Sequence, residues 1–461
     1  MLQRSNYRGF SGFTLVEVLV AMAITLIIMG TIVTVFSQIS TSVSDSRAGI
    51  EMSDQVQGVR DRLQRDLGGV TVATKPWQRL EAGAGYFEVI EGPRSDLVTT
   101  DAPETGIIMT TNASKLTLPA GTRVPATALG DFDDVLMFTS SDQESPYMGF
   151  GFQYEMGTNN IVEAMVESND AEIIWYAIEH PVANQGEAGF RTIYRRALVV
   201  APGMPIPPAA NSLTQREFYE KYDVSVRWVV DKWVPNSLAD LTWRENRFAH
   251  QSAPPYLVNL DRIHPYDSSQ NSPLGPMGYF TDEFRRGQDI MLRNALAFDV
   301  RVYDPQAPLR LNGGIAVAPG EPGWASGSVP SDGAVGAFVD LNYLDAVAPI
   351  PVNLSDSWFA YRPRVFGSGM SLVSVIGGER YAYWDTWPFV YEQTIIPGFT
   401  TGLGTNGFDD DNNNVVDDSS EYSTSPPYMA PLRGILVRIR AYEPYSRQVR
   451  DVSMVENFSG K

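Results

Sequence analysis

Cysteine is absent from the 461 residues, which excludes disulfides, thiolate metal sites and cysteine nucleophiles. Histidine is scarce: His180, His250 and His264 stand far apart, with no HExxH or comparable ligand spacing, so structural or surface roles are the default. Positive charge is also in deficit. Against 35 Lys and Arg there are 54 Asp and Glu, a net charge of -19, which argues against a nucleic-acid partner because phosphate binding needs a basic footprint. No GxSxG elbow, P-loop or zinc pattern occurs. What the chain does have is 43% hydrophobic and 11% aromatic residues, enough for a sizeable core and more than one domain of ordinary size. Its 31 Pro and 39 Gly point to short strands joined by turns and long loops rather than a helical bundle.

The sharpest local signal is at the N-terminus. Residues 1–12 (MLQRSNYRGFSG) are polar, with Arg4 and Arg8 and no acid, and an apolar run starts abruptly at Phe13 and continues to Phe36. As a helix this run measures roughly 36 Å at 1.5 Å per residue, enough to cross a bilayer core of about 30 Å. The basic residues before it place the N-terminus on the cytoplasmic side and the remainder outside, with a single pass. A secretory signal fits worse, because its small-residue cleavage site should follow the apolar region. Here the run leads into a polar segment of helical periodicity. Glu17 is the one charge inside the run. A carboxylate there costs about 2.5–3.5 kcal/mol on insertion scales, so it calls for a partner or a function.

GFTLVEVLVAMAI, residues 12–24, resembles the cleavage and methylation motif shared by type IV prepilins and type II secretion pseudopilins. The resemblance implies that prepilin peptidase cuts between Gly12 and Phe13, that Phe13 becomes an N-methylated first residue, and that Glu17 occupies the fifth mature position. In a packed filament Glu17 would then meet the terminal amine of a neighbouring Phe13. The implied partners are the peptidase and other pilins or pseudopilins bound through the N-terminal helix. The implied setting is the bacterial inner membrane, with the outer domain periplasmic and later drawn into a filament.

Apolar positions continue past the run as Phe36, Ile39, Val43, Ile50, Val56, Val59, Leu63 and Leu67, separated by sums of three and four, which predicts one long helix leaving the membrane. Gly30, Gly49 and Gly58 are its weak points, and Gly68-Gly69 supplies a stop through the left-handed cap that glycine accepts. This divides the chain into a leader (1–12), a membrane half-helix (13–36), an amphipathic half-helix (37–69) and a β-rich extracytoplasmic domain (70–461). Within that domain, segments 135–139, 172–178 and 192–196 are rich in β-branched and aromatic residues, as strands are. A "WYAI" strand beside an "IYRR" strand resembles the sheet of J-type minor pseudopilins and W-type minor pilins. The expected fold is therefore α+β and pilin-like: a long N-terminal helix packed on an antiparallel sheet, with large loop-rich insertions. Residues 300–305 and 439–444 echo one another, each an alternating strand ending at proline, and suggest two related hairpins separated by an insertion at about 201–430. Pro- and Gly-rich stretches at 201–212, 305–335 and 396–430 read as surface loops or boundaries.

The acidic stretch 406–421 is the best candidate for a bound ion. Counted from Asp409, oxygens recur at Asp409, Asp411, Asn413 and Asp417, positions 1, 3, 5 and 9 of an EF-hand-type loop, with the Val415 carbonyl at position 7. Asn414 takes the sharp-turn position, where asparagine is better tolerated than most residues. Position 12 is Ser420 rather than a bidentate acid, with Asp418 or Glu421 near enough to compensate. The competing reading is a solvated acidic turn; calcium is favoured because such closely spaced carboxylates repel one another without a hard cation. Calcium loops in several pseudopilins point the same way, and the role implied is to order a loop. Gly402-Leu403-Gly404-Thr405-Asn406-Gly407 matches GxGxxG, but acids follow it and would repel a pyrophosphate. The aromatic cluster Tyr381, Tyr383, Trp384, Trp387 and Phe389 reads as sheet core before a sugar platform.

These features lead to a structural subunit rather than an enzyme: a minor pilin or pseudopilin of a type IV pilus or type II secretion system, placed at a filament tip or at initiation by its bulk. The alternative is a tip adhesin or a module that binds a secreted protein or a glycan. A membrane-tethered hydrolase ranks last, for want of a paired-carboxylate motif.

Overall fold

The computed structural model describes residues 14–75, 82–91, 130–132, 134–179, 191–248, 250, 288–319, 321, 323–324, 326–341, 374–376, 379–386, 431–444, 446 and 448–458. It opens with α1, Leu15–Gly68, a single helix of 54 residues. Gly30 and Gly58 interrupt nothing, and a side chain at either would meet open space. The helix halts at Gly69, as the glycine pair suggested, but not by a left-handed cap: Gly69 has φ -90° and its N–H reaches Arg65 O and Leu67 O. Glycine is required there for closeness. A Cβ on Gly69 would lie 2.5 Å from Ser140 Oγ and from Ser141 O.

Among the described residues sixteen strands follow: β1 Phe87–Glu91, β2 Val135–Ser141, β3 Tyr147–Tyr154, β4 Ile161–Ser168, β5 Asp170–Glu179, β6 Arg191–Val199, β7 Val226–Val229, β8 Lys232–Pro235, β9 Ile290–Pro308, β10 Arg310–Asn312, β11 Ile315–Val317, β12 Val335–Val339, β13 Ser374–Ile376, β14 Glu379–Asp385, β15 Gly434–Glu443 and β16 Gln448–Asn457. Ten of them form one sheet in the order β13-β14-β1-β2-β5-β6-β9-β15-β16, with β12 also paired to β9, and every pairing is antiparallel. The fold is thus α+β, a long apolar helix ahead of an antiparallel sheet. The strands expected at 135–139, 172–178 and 192–196 are β2, β5 and β6, those at 300–305 and 439–444 fall in β9 and β15, and Trp175 of β5 lies opposite Arg195 of β6.

The outer half of α1 packs on β16, β15, β9 and β2 through Met52, Val56, Val59, Leu63 and Leu67, all buried. Burying each such side chain contributes about 1.5–3 kcal/mol. The buried stripe begins at Gly49, where a Cβ would lie 3.1 Å from the Gln448 side chain. Ile39, Val43 and Ile50, expected on the same stripe, are exposed, because the sheet ends before it reaches them or faces the neighbouring helix position. The opposite sheet face is covered by residues 200–250, which include α2 (Gln215–Lys221) and α3 (Leu238–Leu241). Strand alternation separates the two layers: Trp175 reaches Asp66 of α1, whereas Glu172 on the same strand receives Ser225 Oγ and Phe248 N.

Two expectations about the middle of the chain are corrected. Residues 201–430 are not one insertion, since β9, β12, β13 and β14 lie in that range and belong to the main sheet. Nor are the echoing segments set apart: β15 turns back as β16 and β9 pairs with β12, each antiparallel, but β9 and β15 lie side by side. They are neighbours, with Val300 opposite Val437 and Phe298 opposite Ile439. Pro305 does not end β9, which runs to Pro308; the partner strand β12 slips register between Val335 and Ala337, and a bulge is where a residue without an N–H is tolerated.

Candidate functional site

At the start of α1 the sequence Thr-Leu-Val-Glu forms a capping box. Thr14 Oγ1 accepts from Glu17 N at 3.3 Å, while Glu17 Oε2 accepts from Thr14 N and Thr14 Oγ1, each at 2.9 Å. This reciprocal pair satisfies orphan donors at the helix start and places a negative charge where the helix dipole favours it. The carboxylate is therefore held at the helix tip rather than splayed along it. Behind it every side chain from Leu15 to Phe36 is exposed. Thr25, Thr31 and Thr34 hydrogen-bond to the carbonyl four residues back, so their hydroxyls add no polar face to the helix. A run of 22 exposed residues, long and apolar enough to cross a membrane and unburied among the described residues, calls for an apolar cover outside the sheet domain.

The other end of α1 is tied down by Asp66, which the sequence reading did not single out. It is 1% exposed. Arg195 of β6 grips it with two hydrogen bonds, Nε to Oδ2 at 2.6 Å and Nη2 to Oδ1 at 2.9 Å, and Trp175 Nε1 donates to Oδ2 at 3.0 Å. Arg62, one turn earlier on the helix, lies 3.3 Å away. Asp66 also accepts Ser140 Oγ on its backbone carbonyl, so side chain and main chain both join the helix to the sheet. A signal was present: Asp66 falls three residues after Leu63 in the series 56, 59, 63, an acid on the apolar face.

The layer behind the sheet holds a second charged assembly. Arg247 Nη1 lies 3.0 Å from Glu88 and 2.9 Å from Asp385, Arg244 Nε lies 2.6 Å from Asp385, and His250 Nε2 lies 3.0 Å from Glu88. All five are buried. Burial acts to raise the Glu88 carboxyl, but the charges of His250, Arg247 and Arg244 outweigh it and hold it at about 2. Glu172, with Tyr86 Oη at 2.7 Å, is raised by its burial despite the three hydrogen bonds it accepts. The burial of all five residues suits a structural role.

Of the residues expected to carry chemistry, Glu17 is described and occupies the helix tip. Gly12 and Phe13 lie outside the described residues, as do His180, His264, Asp409, Asp411, Asn413, Val415 and Asp417. Trp384, offered as part of a sugar platform, is 0% exposed in β14, with its ring 6.1 Å from that of Phe87. It is core, and Trp387 and Phe389 lie outside the described residues.

Residues 5–33 match the family model of the prokaryotic N-terminal methylation motif. No curated protein and no solved structure matches the chain. The motif implies processing by prepilin peptidase and assembly with other pilins, and with the exposed apolar helix it fits a membrane-anchored protein of a kind that is typically structural. The motif at residues 5–33, the bare helix that carries it and the α+β fold behind it support a type IV pilin-like prepilin family for this chain.

Proposed function

We propose that the chain is a minor pilin or pseudopilin, a structural subunit that leaves the inner membrane for the tip or initiation complex of a type IV pilus or type II secretion pseudopilus. The observation that carries this reading is the bare apolar helix with Glu17 at its start. Cleavage after Gly12 would free the amine of Phe13, and Glu17 of an adjacent subunit would neutralise it inside an apolar helix bundle, where an unpaired charge is costly. Ile39, Val43 and Ile50, exposed on the same helix, extend the surface available to neighbouring helices. The tip position follows from bulk, since a domain of this size would clash with a subunit stacked above it. Calcium at Asp409, Asp411, Asn413, Val415 and Asp417 belongs to the same proposal, as an ordering device for an outer loop. The adhesin reading has lost Trp384 as a platform.

Immunogold labelling of sheared filaments tests the placement. Label confined to filament ends supports it, and label spaced evenly along the shaft contradicts it.

A further inference from the structure

The edge of β9 changes partner midway. β6 pairs with it at Ala295 and before, and β12 takes up the chain from Val302 onward. Between them the backbone of β9 turns to the segment that leads into β2: Gly130 N donates to Leu296 O at 3.1 Å, Phe298 N to Asp131 O at 2.7 Å, and Val300 N to Asp134 Oδ2 at 2.6 Å. Acids collect at this break. Glu91 ends β1, Asp131 precedes β2 and Asp340 follows β12, and one oxygen of each lies within 4.8 Å of the others. They are 0%, 1% and 3% exposed. Asp134 and Asp299 add their charge. Arg301 pairs there, 3.0 Å from Asp299 and 3.2 Å from Asp340.

Glu91 is the telling member. Its Oε2 accepts Leu341 N at 3.0 Å, while its Oε1, also buried, accepts no hydrogen bond. Burial, followed by the charges of Asp134 and Asp340, pushes its carboxyl well above the usual range. A buried carboxylate oxygen with no hydrogen bond, on a residue grouped with two other buried carboxylates, costs free energy unless a proton or a cation meets it.

We propose that Glu91, Asp131 and Asp340 form a binding site for a hard divalent cation, calcium in the first place. Donors no more than 4.8 Å apart lie within about 2.8 Å of a common centre, a few tenths of an ångström from the calcium–oxygen distance of about 2.3–2.6 Å, and three carboxylates offer up to about six oxygens, the lower end of calcium's range. Magnesium demands a tighter octahedron and retains its waters, so it binds here more weakly. All donors are oxygen, which excludes preference for the softer metals. The ion would join β1, the lead into β2 and the end of β12, three segments distant in sequence, at the point where the sheet's own ladder is interrupted. The site is distinct from the loop at 409–417.

The test uses the full chain in detergent micelles, stripped with EDTA and titrated with CaCl2 while bound calcium and the melting temperature are followed. Calcium should saturate the site and raise the melting temperature by roughly 5 °C or more. The double variant Asp409→Ala/Asp411→Ala should still bind one ion per chain and keep a shift of that size, whereas Glu91→Gln added to that double variant should bind none and lose the shift. If the chain with Glu91→Gln does not fold, Asp131→Asn takes its place in the comparison. Absence of saturable calcium in the wild type overturns the proposal outright, and so does full retention when Glu91→Gln is added to the double variant, or loss of the shift in the 409/411 variant.

Discussion

The two halves of α1 each carry one acid on an apolar face, and the two acids are treated differently. Asp66 is buried and held by groups of its own chain, Arg195 and Trp175. Glu17 is exposed, and its recorded partner is Thr14 of its own capping box. A carboxylate on an apolar helix face is a marker of a contact to come. At Asp66 that contact is the sheet of the same molecule; at Glu17 the contact proposed above is the terminal amine of a neighbouring subunit. The outer half of the helix thus shows in one molecule the kind of pairing that the inner half is proposed to make with a neighbour.

The largest expected effect breaks the intramolecular side of this comparison. Asp66→Ala leaves Arg195 and the Trp175 N–H buried without their acceptor and should cost about 3–5 kcal/mol, seen as an earlier denaturant midpoint. Undiminished stability would mean that the clamp is incidental. Acid should next separate the outer domain from the helix. The Glu88 carboxyl is depressed in the folded protein, so its contribution is present above the ordinary carboxylate range and is lost as pH falls toward about 2. Denaturant midpoints should decline through that window, and a flat profile would count against the Glu88–Arg247–His250 assembly as a source of stability. Gly69→Ala should destabilise by about 1–3 kcal/mol, because its Cβ would collide with Ser140 and Ser141. Gly58→Ala, in open helix, should stabilise by about 1 kcal/mol; equal effects from the two would refute the close-approach explanation. The smallest effect on folding belongs to Glu17→Gln, which should leave the melting temperature of the outer domain unchanged while lowering recovery in sheared filaments.

How legible these halves were follows from how local their determinants are. The apolar run, its single acid and the abrupt start at Phe13 are contiguous in the chain, so the helix could be read from its residues. Strands β2, β5 and β6 were equally visible as runs of β-branched and aromatic residues. β9 was visible only at 300–305. It spans Ile290–Pro308 with prolines inside it, and only its pairing with β6, β12 and β15 reveals it as the middle of the sheet. The candidate cation site was hidden for the same reason: Glu91, Asp131 and Asp340 look like isolated acids until a break in the β9 ladder brings them within 4.8 Å. Ion pairs such as Glu88–Arg247 also defeat a reading in which charge means surface, because both partners are buried. The stripe on α1 was read correctly as helical, yet its phase was set by the sheet, which covers Gly49 and Met52 rather than Ile50.

The central claim is that the bare half of α1 is made by cleavage for assembly, and the most direct test is the intact mass and N-terminal sequence of the protein from cells with an active prepilin peptidase, beside a Gly12→Ala variant. The account predicts a wild-type chain that begins at N-methylated Phe13 and a variant that keeps Met1 to Gly12. A wild-type chain that retains its first twelve residues would contradict it, and would leave α1 as an ordinary membrane anchor.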